Sequence, residues 1–86
     1  MEIIFDKKFD KKFNKLRRWE KAKTKETIKI FQQNPFDPRL RNHALRGKLS
    51  GLRSVSVSFD LRIIFIEKDN YLKVLFLALG SHEEVY

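Results

Sequence analysis

The apolar residues of this 86-residue chain change their spacing once, and that change governs what it can fold into. Phe5, Phe9, Phe13 and Leu16 recur four, four and three apart, which puts them on one stripe of an α-helix. Beyond Leu52 the period becomes two. Val55, Val57 and Phe59 alternate with Ser54, Ser56 and Ser58, as in a strand with one apolar face and one small, polar face. A helical stripe and a strand face of this kind bury each other. The pattern predicts an α+β domain spanning residues 1–86, with helices packed on one face of a small antiparallel sheet.

Glu2 to Phe5 is short, apolar and bounded by Asp6, and reads as a first strand. Asp6 suits the cap of the helix that follows, whose remaining circumference is basic. A second helix is expected from about Thr24, as its cap, to Gln33, with Ile28 and Phe31 facing one way. Asn34-Pro35 ends it, because the proline ring disfavours helical geometry at the residue before it. Pro35 to Leu49 reads as a loop. Leu61 to Ile66 reads as a strand with Leu61, Ile63 and Phe65 on one face and Arg62, Ile64 and Ile66 on the other. Lys68-Asp69-Asn70 is a turn, and Tyr71 to Leu79 is a mostly buried strand. The order is β-α-α-β-β-β. The sheet face away from the helices is expected to be open and to carry Ser54, Ser56, Ser58 and Arg62.

Charge narrows the possible partners. The net charge is +8, but residues 1–50 carry +9 and residues 51–86 carry −1. Such asymmetry suits a polyanionic partner, whether nucleic acid, membrane surface or acidic protein; lysines that merely solvate the helices are the plainer reading. The absence of cysteine rules out disulfides, thiolate catalysis and cysteine–zinc sites. The first residues lack the pattern of a secretory signal. The longest apolar run, Val74 to Leu79, is far below the roughly 20 residues of a membrane-spanning helix. A cytoplasmic protein without membrane association is expected.

The chemistry available is limited. His43 and His82 are the only histidines, too few for a zinc site without help from carboxylates. No glycine-rich phosphate loop, nucleophile elbow or dinucleotide fingerprint is present. Acid–base catalysis with arginine electrostatics remains, with no cofactor and no metal. RNA cleavage fits this inventory, because the substrate's own 2′-hydroxyl is the nucleophile and the protein need supply only a base, an acid and cations. Arg62 interrupts an apolar strand and is either a paired structural charge or an anion ligand. Asp60 can serve as a base or hold a histidine. Each also has a structural reading: His43 can brace its loop, Asp60 its turn, and Tyr86 can pack.

Four blocks together carry a resemblance: Asn34-Pro35-Phe36-Asp37-Pro38-Arg39-Leu40, Asn42-His43-Ala44-Leu45-Arg46-Gly47-Lys48-Leu49, Asp60-Leu61-Arg62-Ile63-Ile64-Phe65 and Gly80-Ser81-His82-Glu83-Glu84-Val85-Tyr86. In this order and spacing the chain resembles a RelE/StbE-type toxin of bacterial type II toxin–antitoxin systems, in the RelE/ParE superfamily, and most nearly its YafQ-like branch. The resemblance implies a microbial-ribonuclease-like fold and mRNA interferase activity in the ribosomal A site. It implies His43, Asp60, Arg62, His82 and Tyr86 as catalytic residues, with Arg62 on the phosphate; the division of labour expected on this chain has His82 as acid and Asp60 or His43 as base. Arg53, Ser56, Arg46 and Lys48 are the expected RNA- and phosphate-binding residues. Ser56 stands where the branch carries a histidine. The implied partners are a cognate antitoxin, mRNA and the 70S ribosome, the last through the basic helices. The free toxin is expected to be monomeric and the antitoxin complex higher-order and operator-binding. The alternatives are a ParE-like gyrase inhibitor and a catalytically weakened toxin acting mainly through its antitoxin.

Overall fold

Asp6 separates the first strand from the first helix. Its backbone is extended and its carboxylate accepts the amide hydrogen of Lys8 at 2.8 Å, so β1 (Glu2–Phe5) stops and α1 (Lys7–Lys15) starts around one residue. The computed structural model describes every residue from Met1 to Tyr86. Phe9 on α1 is buried, while Lys7, Lys8, Lys11 and Lys15 stay in water. Leu16 is extended and ends the helix.

Helix α2 (Arg18–Gln33) begins six residues before Thr24, the start expected from sequence. Glu20 is the cause: its Oε1 accepts the Arg17 amide hydrogen at 2.9 Å and caps the helix there. Thr24 instead lies buried inside α2 and donates its hydroxyl to the Glu20 carbonyl at 2.8 Å, as Thr27 does to Lys23. A hydroxyl satisfied by its own helix can be buried at little cost. Asn34 ends α2 as expected.

The sheet has five strands in the order β1-β5-β4-β3-β2, with β2 (His43–Ala44), β3 (Arg53–Ser56), β4 (Arg62–Lys68) and β5 (Lys73–Gly80). β2 to β5 pair antiparallel, as a meander must. β1 pairs parallel with β5, so the sheet is mixed rather than wholly antiparallel. The segment read as loop contains β2 and two 3-10 turns, Pro38–Leu40 and Gly47–Leu49. A further short helix, α3 (His82–Val85), follows β5. The α+β class and the expected fold hold, with these additions.

Two strand boundaries depart from the period-two reading. β3 stops at Ser56, because the amides of Val57 and Ser58 both donate to the Leu61 carbonyl (2.7 and 3.2 Å) and close a hairpin tip. Alternation ends there, so Phe59 swings into solvent, 97% exposed, instead of joining the apolar face. Asp69, Asn70 and Tyr71 all adopt positive φ, so the turn after β4 extends through Tyr71 and β5 begins two residues later. No helix is long and apolar enough to cross a membrane.

Phe31 is the hinge of the core. Fully buried on α2, its ring meets Phe65 and Phe76 edge-on at 5.1 and 5.4 Å, and Phe76 in turn meets Phe9 of α1 at 5.7 Å. These rings bind both helices to one sheet face and hold Val55, Leu61 and Ile63 between them. Phe31→Ala is expected to cost about 3–5 kcal/mol by leaving a cavity at this junction. Chemical denaturation checks it; a loss below about 1 kcal/mol would remove Phe31 from the centre of this account.

Candidate active site

Strand register decides which side chains share the second face. Val55 and Ile63 point into the core, so their neighbours Ser54, Ser56 and Arg62 point away from the helices. Residues directly opposite on paired strands share a face, which adds His43 (opposite Ser54) and Gly80 (opposite Arg62). The chain then turns back over Gly80 as α3. A Cβ at Gly80 would lie only 3.1 Å from Glu84 and 3.2 Å from Val85, so glycine permits this approach.

The fold-back makes a cavity of about 330 Å³ lined by Arg41, His43, Arg62, His82 and Tyr86. Four of these, His43, Arg62, His82 and Tyr86, are candidates from the sequence, and they come from three separate segments: β2, β4 and the α3 tail. Arg41 is not. It precedes His43 by two residues, and this closeness to a candidate histidine is the one signal the sequence holds for it. Its backbone is left-handed (φ 52°) at the end of the first 3-10 turn.

The groups in the cavity differ in how they are held. The Arg41 carbonyl lies 2.8 Å from His43 Nδ1. A carbonyl only accepts, so Nδ1 carries the hydrogen and the neutral ring keeps its lone pair on Nε2. His82 meets the Tyr86 ring edge-on at 4.3 Å, and the Tyr86 hydroxyl donates to Ser54 Oγ. Ser54 is therefore buried under Tyr86 rather than open to solvent, against the sequence expectation. Arg62 forms no ion pair with any carboxylate, and its buried Nε has no protein acceptor. Glu84 does not reach it: its carboxylate bonds Lys12 Nζ at 2.8 Å.

A second groove, of about 450 Å³, adjoins the cavity. It shares Arg41 and Arg62 and adds Arg39, Ser56, Phe59 and Asp60. Asp60 Oδ1 accepts the backbone amide of His82 at 3.4 Å, so Asp60 approaches the start of α3 and not an imidazole nitrogen. Ser56 donates its hydroxyl to the Ser58 carbonyl. Arg39 is engaged by Asp37 through paired contacts of 2.9 and 3.0 Å, which hold Asp37 down to about 2 and raise Arg39.

Three residues expected in the site lie elsewhere. Arg53 shares the helix-side face with Val55; its Nε donates to Asn42 Oδ1 at 2.9 Å and its guanidinium lies over Phe36. Asn42 also donates to the Pro35 carbonyl and the Tyr71 hydroxyl, so Arg53 braces the loop that carries Arg41 and His43. Arg46 and Lys48 are exposed around the second 3-10 turn and line neither cavity, because β2 leads the chain to the opposite end of β3.

The position of α3 rests partly on charge. The Lys12 hydrogen bond, then the Ser81 amide, lower the Glu84 pKa from 4.5 to about 2. A lowered carboxylate pKa contributes stability above the unfolded value and loses it as pH falls toward the folded one. The window is pH 4.5 to about 2. The pair is solvated, so its contribution is below about 1 kcal/mol. Amide protection factors over residues 81–86 are expected to fall through this window before those of the sheet. Lys12→Gln should lower them already at neutral pH; protection equal to wild type would mean the ion pair does not hold α3.

Comparison with known proteins agrees with the fold. A family profile described as the bacterial toxin of the type II toxin–antitoxin system, YafQ, matches residues 1–86. Among solved structures, YafQ from E. coli superposes with a TM-score of 0.82 at 19% identity, covering 99% of this chain and 97% of that one. The E. coli DinJ–YafQ complex gives 0.70 at 21% identity over 99% and 97%. A copper-bound mutant toxin from Helicobacter pylori gives 0.72 at 26% identity over 100% and 99%. Curated protein sequences give no significant match.

Proposed function

The chain belongs to the YafQ family of bacterial type II toxin–antitoxin toxins, and from that premise we propose that it is an endoribonuclease that cleaves mRNA. The observation that carries this reading is the unpaired Arg62 guanidinium in one cavity with two imidazoles. A buried donor with no acceptor favours a ligand that supplies one, and a phosphodiester oxygen matches guanidinium geometry.

The chemistry follows from how each group is held. His43 Nε2 takes the proton of the RNA 2′-hydroxyl as its oxygen attacks the adjacent phosphorus. Arg62 and Arg41 stabilise the charge that builds on the phosphoryl oxygens. The bond from phosphorus to the 5′-oxygen breaks, and protonated His82 supplies the leaving group's proton. The products are a 2′,3′-cyclic phosphate and a 5′-hydroxyl, and no metal is needed. Tyr86, fixed by Ser54, orients the His82 ring. Asp60 holds the start of α3, so His43 is the better base of the two candidates. The serine at position 56 leaves both proton-transfer groups in place, which favours an active enzyme over a weakened one.

The DinJ–YafQ complex supports a cognate antitoxin as partner. The lysines exposed on α1 and α2 suit phosphate backbones, so mRNA is proposed to be cut on the ribosome, with binding that weakens steeply as salt rises. His43→Ala and His82→Ala are each expected to slow single-turnover cleavage by about 10²–10⁴-fold. Primer extension in a reconstituted translation reaction, with and without ribosomes, measures it. Undiminished cleavage by His82→Ala would exclude it as the acid, and cleavage of RNA carrying 2′-deoxyribose at the cut site would exclude the mechanism.

A further inference from the structure

Phe59 is the most exposed large apolar side chain in the molecule. It stands at a hairpin tip, where polar residues and glycine usually serve and where nothing in the turn requires a phenyl ring. Trp19, at the start of α2, is 56% exposed. The two rings border one cavity of about 360 Å³, whose walls also include Leu16, Glu20, Asp60 and Glu84. Phe59 and Asp60 border the arginine groove as well, so the two spaces are continuous around the hairpin tip.

The occupant can be argued from charge. Glu20, Asp60 and Glu84 line the Trp19–Phe59 cavity together with Lys12, which is paired with Glu84 at 2.8 Å, so the remaining charge is acidic and disfavours a phosphate, whereas the adjoining groove carries Arg39, Arg41 and Arg62. A strand of RNA held by its phosphate on Arg62 must place the neighbouring base somewhere. A neutral, flat ring with apolar faces and polar edges suits two exposed aromatics backed by hydrogen-bond acceptors. We propose that the cavity between Trp19 and Phe59 is a nucleobase subsite, which takes an unpaired base flanking the scissile phosphate. This rests on the ribonuclease reading of the arginine cavity. Phe59 and Trp19 position the substrate; they take no part in proton transfer.

Trp19 is the only tryptophan, so its fluorescence reports on this cavity alone. The probe is a short single-stranded 2′-O-methyl oligoribonucleotide, which resists cleavage, compared with an abasic strand of equal length. The base-bearing strand is expected to quench Trp19 saturably. The abasic strand should bind on the order of tenfold more weakly, without quenching. Phe59→Ala should weaken the base-bearing strand by a similar factor and leave the abasic strand unchanged, whereas Phe59→Tyr should restore binding. Equal quenching by both strands, or unaltered binding by Phe59→Ala, would overturn the subsite and leave the exposed rings to a protein partner. Arg62→Ala separates the two readings. Binding that needs Arg62 but ignores Phe59 sinks the subsite alone, and binding indifferent to Arg62 sinks the phosphate site beneath it.

Discussion

The contact of Phe31 with Phe65 and Phe76 decides the orientation of everything else. Once these rings lock the helices to one face of the sheet, strand pleating sends every second side chain to the other. His43, Ser54, Ser56 and Arg62 reach a common surface for that reason alone, although they lie on three different strands. The core therefore does more than stabilise. It separates an apolar, helix-covered side from a polar side on which chemistry can assemble.

Around the site, charges divide into those that build and those that are left free. Arg39 is held by Asp37, Lys12 by Glu84, and Arg53 by Asn42 beside Phe36. Each of these contacts fixes a loop or a turn that borders the site. Arg62 has no such partner. A buried donor without an acceptor costs about 1–3 kcal/mol, and an incoming anion would recover that cost. The same economy governs the histidines. One is oriented through a backbone carbonyl and the other through an aromatic ring, so each is positioned by a group that leaves ring chemistry available.

Much of the fold was legible along the chain. Asp6 as a cap, Asn34-Pro35 as a stop and the placement of Leu61, Ile63 and Phe65 in the core all rest on interactions within a few residues or on simple alternation. The misreadings share another cause. Thr24 looked like a cap because its hydroxyl can cap; Glu20 had already closed the helix at Arg17. Phe59 looked like a core residue because alternation was extended past Ser56, where two amides converge on Leu61 and end the strand. Tyr71 looked like strand because three successive positive φ values cannot be read from residue types alone.

The candidate site shows the same boundary. Residue types narrowed the chemistry to be proposed: two imidazoles, no thiol and an arginine inside an apolar strand make acid–base catalysis at a phosphate the economical expectation. Residue types also carried the family resemblance. Only the tertiary structure decided which cations line the cavity. Arg41 enters because a left-handed residue turns its loop toward His43, and Arg53 leaves because strand parity puts it on the helix side. Only the fold-back over Gly80 brings His82 and Tyr86 to the strands, through contacts between residues far apart in sequence. Local preference is encoded residue by residue, whereas register and fold-back are set by the packing of the whole domain, and proximity in the site depends on the latter.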